Sequence, residues 1–111
     1  MIRHTVAFTL VHAPGSAGEE AFLTEGPALL RAIPGVQDFA VSRQVSAKSP
    51  YRFQFAMTFE DQAAYDAYDA HPDHRGFVAT RWAEEVESFA ELDLVPYPDP
   101  AAVSPGLRAG G

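Results

Sequence analysis

Apolar and polar residues alternate through four segments of the chain with the two-residue period of a half-buried β-strand. The first spans residues 2–11 and the clearest spans residues 51–59, where an aromatic residue or a methionine occupies every second position. Shorter alternations over residues 36–45 and 89–95 predict two further strands. The pattern therefore predicts four strands, two of them with a strongly aromatic side.

The first strand is followed by a helix whose start and end are both marked in the sequence. Ser16 and Glu19 have the S-x-x-E spacing of a capping box, in which each residue bonds a free backbone N–H of the first turn. Ile-Pro-Gly at residues 33–35 ends this helix. Gly26-Pro27 lies between these signals and predicts a kink or a break into two helices, because proline cannot donate the helical hydrogen bond.

A second helical region follows the aromatic strand and is divided by a proline. Asp61 can cap a short helix over residues 61–68. His71-Pro72 should stop it, since proline disfavours the helical conformation of the preceding residue. A further helix is expected over residues 73–86, with Asp73 as its N-cap.

The order β-α-β-β-α-β predicts a ferredoxin-like α+β protomer, an antiparallel sheet with helices on one face. Apart from Arg3 and Arg52, the second face of the sheet should carry small or uncharged residues: Thr5, Ala7, Thr9, Gln54, Ala56 and Thr58. Because a solvated face usually carries more Lys and Glu, this pattern favours burial against the sheet of a second copy. We expect one domain over residues 1–97 and an extended tail over residues 98–111, which are rich in Pro, Ala and Gly.

Composition narrows the classes of partner. The net charge is −7 and the eight basic residues are scattered, which disfavours nucleic acid and anionic membranes as partners. No cysteine is present, and no stretch approaches the roughly 20 apolar residues of a membrane span. A strand predicted at the second residue leaves no space for a signal peptide, so we expect a cytoplasmic protein without disulfides.

The segment from Tyr68 to Val78 contains the densest candidate chemistry, with a phenol and two of the four histidines around a helix start. His74 should lie in the first turn of the helix, where the partial positive charge of the N-terminus favours neutral imidazole. Neutral His74 could act as a general base, with Tyr68 as its hydrogen-bonding partner. Alternatively, the HPxH block only ends one helix and starts the next, with Tyr68 in the core.

Several segments resemble one protein family in the same order along the chain. They are IRHTVAFTL, IPGV, YRFQFAMTFED and AYDAYDAHPDHRGFV with the downstream Trp82, which together cover about residues 1–95. These residues resemble the stress-responsive dimeric α/β-barrel (Dabb) family. The resemblance implies a ferredoxin-like protomer whose sheet packs on the sheet of its partner to form a barrel-shaped homodimer.

One activity known in that family is polyketide cyclisation by a plant olivetolic acid cyclase, an aldol closure that retains the carboxylate. The resemblance places its catalytic tyrosine and histidine on Tyr68 and His74, and its first-strand histidine on His4. Another histidine of its cavity falls on Phe53, so the pocket of this chain should be more apolar and its substrate different. No cofactor is implied.

The remaining candidate site residues are mostly aromatic. His4 is in phase with the apolar side of its strand and should face the same interior; a satisfied core histidine is the alternative interpretation. We expect substrate contacts from a set of aromatic and imidazole side chains around the cavity: His4, Phe8, Phe53, Phe55, His71, Phe77 and Trp82. A metal site is not expected, because Pro72 interrupts the H-x-x-H spacing and no motif supplies a further carboxylate.

Three functional hypotheses remain from the sequence. The first is a homodimeric barrel with a small apolar pocket that binds or processes a hydrophobic, polyketide-like molecule. The second is a stress-related or structural homo-oligomer without chemistry. The third is a cofactor-free monooxygenase of the ferredoxin-like dimer type. A cavity that reaches Tyr68 and His74 would separate the first hypothesis from the second, and oxygen consumption would separate the third from the first.

Overall fold

A computed structural model describes residues 1–98 of the chain. Residues 99–111, which hold nearly all of the predicted tail, lie outside the described residues. The elements in chain order are β1 Ile2–Leu10, α1 Ala17–Arg31, β2 Gln37–Arg43, β3 Phe53–Phe59, α2 Gln62–Ala70, α3 Pro72–Phe77, a π-helical turn Val78–Trp82, α4 Ala83–Glu85 and β4 Val86–Leu94.

The four strands form one sheet in the order β2-β3-β1-β4, and each neighbouring pair is antiparallel. This is the ferredoxin-like arrangement, with the helices on one face, so the predicted fold is confirmed. The register sets which side chains share a face. Val6 of β1 lies opposite Phe55 of β3 and opposite Glu91 of β4, and all three point towards the helices.

Aromatic side chains dominate the core between the sheet and the helices. Phe8, Phe22, Phe55 and Phe59 have no solvent exposure. Phe8 and Phe55 meet edge to face with their ring centroids 4.7 Å apart, and Phe22 of α1 stacks over Phe55 at 6.2 Å. These pairs fix α1 on the sheet through burial and ring geometry.

The helix α1 is continuous through Gly26-Pro27, so the predicted break into two helices is wrong. Both residues are buried, and a Cβ on Gly26 would lie 3.2 Å from Cζ of Phe77. Glycine thus permits α1 to approach Phe77, and packing offsets the one hydrogen bond that Pro27 cannot donate. At the start of α1 the Ser16 hydroxyl accepts from the Glu19 N–H, as the capping box predicts.

The helix that follows His71 begins one residue earlier than predicted. Pro72 takes the first helical position, and Nδ1 of His71 accepts from the Asp73 N–H at 3.1 Å. Asp73 is therefore not the N-cap, because proline is strongly favoured at the first position and leaves the cap to the residue before it. The predicted helix over 73–86 is also divided by the π-helical turn, and β4 starts at Val86.

The sheet face away from the helices is open in the protomer. Ala7 and Thr5 are half-buried, whereas Leu92 and Leu94 of β4 remain 63% and 48% exposed. Arg3 crosses part of this face and donates to the Thr58 hydroxyl at 2.7 Å. This face therefore carries small and apolar side chains together with the basic side chain of Arg3. Among residues 1–98, no helix is long and apolar enough to cross a membrane.

Candidate functional site

A cavity of about 200 Å³ lies between the helix layer and the strands β1, β3 and β4. Its polar groups come from the start of β1, from α2 and α3, and from β4. Aliphatic and aromatic side chains form the rest of the wall. The lining residues are His4, Val6, Leu30, Phe55, Met57, Tyr65, Tyr68, Asp69, His74, Phe77, Val78, Trp82, Phe89 and Glu91.

His74 is held in one orientation by the end of the preceding helix. Its Nδ1 lies 3.0 Å from the backbone carbonyl oxygen of Asp69. Because a carbonyl oxygen can only accept, Nδ1 carries the hydrogen, and Nε2 of the neutral ring keeps its lone pair. The His74 side chain is 16% exposed. Proline at the start of α3 positions this residue, since it sets where the first turn begins.

Tyr68 lies beside His74 and is 2% exposed, with the two ring centroids 4.5 Å apart. Burial raises the pKa of the Tyr68 hydroxyl, and the nearby Tyr65, Asp69 and Glu91 raise it further. The hydroxyl therefore stays protonated at physiological pH and can donate a hydrogen bond. Tyr68 is one of the residues that line the cavity.

His4 and Asp93 form a second polar pair at the cavity. Nδ1 of His4 lies 2.5 Å from Oδ1 of Asp93 on the neighbouring strand β4, and His4 is 6% exposed. Since the carboxylate accepts, Nδ1 is the donor and Nε2 of the neutral ring is left as an acceptor. The Tyr65 hydroxyl lies 3.4 Å from the same nitrogen. Burial raises the pKa of Tyr65, and its hydrogen bond to Asp93 raises it further.

The remaining wall is aromatic and depends on the π-helical turn. Trp82 is the last residue of that turn, and its ring meets Phe89 of β4 edge to face at 5.5 Å. Phe77 precedes the turn, with its ring 6.4 Å from Trp82. π-helical turns inside α-helices occur frequently at functional sites. Here the turn brings Val78 and Trp82 together on the cavity wall.

Six of the predicted site residues line this cavity: His4, Phe55, Tyr68, His74, Phe77 and Trp82. Phe8, Phe53 and His71 do not line it. Phe8 is fully enclosed between other rings, and Phe53 packs beside it at a ring distance of 6.0 Å. The imidazole of His71 is instead the cap of α3.

Four polar residues at or beside the cavity were not predicted as site residues. Tyr65 precedes Tyr68 by three positions, which places both on one face of α2. Asp69 supplies the carbonyl that holds His74. Glu91 and Asp93 alternate in phase with Phe89 on β4, so acidic residues on the apolar side of a strand were the available signal.

Polar side chains at the cavity do not gather into a metal-binding group. Across residues 1–98, no three histidine or carboxylate side chains lie close enough to hold a metal ion. The chemistry that the arrangement supports is proton transfer, with imidazole nitrogens as acceptors and a protonated phenol as donor.

Comparison with known proteins places this arrangement in a family. Residues 2–96 match the profile of the stress responsive A/B barrel domain, Dabb. A Dabb family protein of ferredoxin-like fold from Mesorhizobium loti is 52% identical, with a TM-score of 0.86 over 87% of this chain and 97% of that chain. A search of curated proteins found no match.

Two more distant structures share the fold. A dimeric ferredoxin-like protein of unknown function from Thermobifida fusca is 23% identical, with a TM-score of 0.69, and covers 86% of this chain and 90% of its own. A hydroxynitrile lyase from Passiflora edulis is 12% identical, with a TM-score of 0.75, and covers 89% of this chain and 96% of its own.

Proposed function

The chain belongs to the stress responsive A/B barrel (Dabb) family, and we propose that it is an enzyme whose cavity binds a small, mainly apolar molecule and removes a proton from it. One observation carries the proposal. Nδ1 of His74 is occupied by the Asp69 carbonyl, so Nε2 is the free proton acceptor beside the protonated Tyr68. A general base and a hydrogen-bond donor in one apolar cavity is the minimum set for proton abstraction next to a carbonyl group.

The chemical step divides between two side chains. His74 Nε2 would take a proton from the carbon next to a ketone, so that a C–H bond breaks and an N–H bond forms. The Tyr68 hydroxyl would donate to the ketone oxygen as negative charge develops on it. If the resulting enolate attacks a second carbonyl of the same molecule, the imidazolium returns its proton to the new alkoxide. This sequence is an aldol cyclisation of the polyketide cyclase type, in the lyase class.

The size of the cavity limits the substrate. At about 200 Å³ it is smaller than the ~300–1,000 Å³ of drug-sized pockets. A cavity of ~150 Å³ lined by apolar side chains is large enough for benzene. The substrate is therefore of single-ring size, with space for a few further atoms.

His4 would act in substrate binding. Asp93 orients its ring through Nδ1, so Nε2 can accept a hydrogen bond from a hydroxyl group of the ligand. The aromatic wall of Phe55, Phe77 and Trp82 would contact the ring of that ligand. Binding by His4 and abstraction by His74 are separate roles, which substitutions can distinguish.

The proposal includes a homodimer formed through the open face of the sheet, and a cytoplasmic location. The dimer is supported by the exposed Leu92 and Leu94 on that face, and by structural relatives described as dimeric. The Passiflora edulis enzyme supports catalysis in this architecture only by its fold. Cell fractionation tests the location: recovery in a membrane or secreted fraction would contradict it.

Deuterium exchange tests the proposed base without knowledge of the natural substrate. The neutral ketone 2-indanone, a benzene ring bridged by three further carbon atoms that carry one oxygen, has acidic C–H groups next to its carbonyl and stays within the limit of one aromatic ring and a few further atoms. Protein in D₂O should accelerate loss of these proton signals in NMR spectra. His74→Ala should lower the accelerated exchange rate by about 10²–10⁴-fold, the typical contribution of one positioned base.

His12→Ala is the matched control. Its imidazole lies outside the cavity, 2.6 Å from Glu85, so exchange should be unchanged. Equal exchange by wild type and His74→Ala would refute the role of His74. No acceleration by the wild type would favour the non-catalytic homo-oligomer, and oxygen consumption with the ketone would favour the monooxygenase.

A further inference from the structure

The charged groups that line the cavity are all acidic. Asp69 and Glu91 are lining residues, and Asp93 lies directly behind His4. No lysine or arginine lines the cavity within residues 1–98. The apolar wall contributes no compensating charge, and the chain as a whole carries a net charge of −7.

These carboxylates make a further negative charge inside the cavity unfavourable. The pKa values of both cavity tyrosines are raised by burial, and by neighbouring groups that include Asp69 and Glu91. A negative charge placed on a phenol of the cavity is thus disfavoured. The same carboxylates would repel a carboxylate of a bound ligand, because that charge would occupy the same space.

A tyrosine hydroxyl at the cavity also favours a ligand with a polar group. Tyr68 is 2% exposed and lines the cavity beside His74. A protonated phenol is a donor, and a ketone or hydroxyl oxygen satisfies it without a negative charge. The cavity therefore has a donor for a neutral oxygen and has no cationic partner for a carboxylate.

We propose that the cavity selects against anionic ligands, and that it accepts single-ring molecules that are neutral or carry an amine, with Glu91 as the main residue that sets this preference. The inference rests on the proposed function, since it assumes that the cavity is a ligand site. Glu91 is the best candidate because it lies in the middle of β4, opposite Val6, and lines the cavity. Asp69 also lines it, but its backbone carbonyl holds His74, so substitution there would disturb two functions.

Three phenols of nearly equal size and different charge test the preference. They are tyramine, which carries an amine; tyrosol, which is neutral; and 4-hydroxyphenylacetate, which carries a carboxylate. Dissociation constants would be measured at pH 8, where histidine side chains are ordinarily neutral, from NMR shift changes of the full chain. Tyrosol and tyramine should bind at least about tenfold more tightly than 4-hydroxyphenylacetate.

Substitution of Glu91 then assigns the effect. Glu91→Gln should strengthen binding of 4-hydroxyphenylacetate by about three- to tenfold and leave tyrosol nearly unchanged. Glu87→Gln is the matched control, because it removes the same charge from the same strand at a position that does not line the cavity. It should not change the preference.

The outcomes separate the two proposals. If none of the three phenols binds, the small-molecule site itself is refuted, and the charge preference falls with it. If 4-hydroxyphenylacetate binds as tightly as tyrosol, the charge preference is refuted and the site stands. An equal change in Glu91→Gln and Glu87→Gln would refute the assignment to Glu91.

Discussion

The open face of the sheet offers a sharp test of the proposed homodimer, through the substitution Ala7→Glu. Ala7 lies on the central strand β1, opposite Gln54 on one neighbouring strand and Ala90 on the other. Its side chain is half-buried in the protomer and belongs to the face without helices. Thr58 is a poorer position, because the Arg3 guanidinium that already bonds its hydroxyl could neutralise a new carboxylate.

The magnitude follows from symmetry and desolvation. A stable sheet-to-sheet dimer should bury at least ~1,200 Å² in total. A charge enclosed there without a partner costs about 3–5 kcal/mol, and a two-fold axis introduces two such charges at once. Two such charges cost about 6–10 kcal/mol, so the dissociation constant of the dimer should rise by at least about 10⁴-fold.

Sedimentation velocity over a concentration series measures this change. The wild type should sediment as a dimer at micromolar concentration, and Ala7→Glu should sediment as a folded monomer. Ala67→Glu is the matched control, because it adds the same charge on the exposed side of α2. A monomeric wild type, or an Ala7→Glu variant that stays dimeric, would refute sheet-to-sheet assembly.

Three further predictions concern the site, the pH response and the tail. Tyr68→Phe should slow the deuterium exchange of 2-indanone about 10-fold or more while binding persists in NMR titrations, since it removes only the donor; unchanged exchange would exclude Tyr68 from the step. Burial opposes ionisation of Glu85, but hydrogen bonds from Arg81 and His12 prevail and lower its pKa below 4.5. The ionised Glu85 therefore stabilises the fold at pH values above the pKa of the unfolded chain, and this stabilisation is lost as the pH falls through the pKa of the folded protein. Glu85→Gln should therefore reduce the dependence of the melting midpoint on pH at acid pH, and an unchanged dependence would contradict this. Truncation after Tyr97 should change the melting midpoint by only a few degrees in circular dichroism, and a large drop would show that the tail contributes to assembly.

The fold was predictable because local and global signals agree. Two-residue alternation in β1 and β3 gives both the strands and their buried faces, and the Ser16 cap marks the start of α1. The errors arise where packing overrides local propensity. The helix α1 continues through Pro27 because Gly26 allows close approach to Phe77, which no local rule contains.

The candidate site was predictable only in part, for a related reason. Tyr68 and His74 lie six positions apart along the chain, so sequence proximity already brings them together. Glu91 and Asp93 reach the cavity through strand pairing with β1, and the β1–β4 register cannot be read from either strand separately. The hydrogen bond from the Asp73 N–H to the His71 imidazole depends on the exact start of α3, which the sequence pattern placed one residue too late.

The tautomer of His74 is the most direct test of the central claim, that its Nε2 is a free base in a ligand-accessible cavity. Long-range ¹H–¹⁵N NMR of uniformly labelled protein distinguishes protonated from unprotonated ring nitrogens at pH 8. The structure predicts a protonated Nδ1, donating to the Asp69 carbonyl, and an unprotonated Nε2 whose signal shifts when 2-indanone is added. A hydrogen on Nε2, or an Nε2 signal that does not respond to the ketone, would contradict the account.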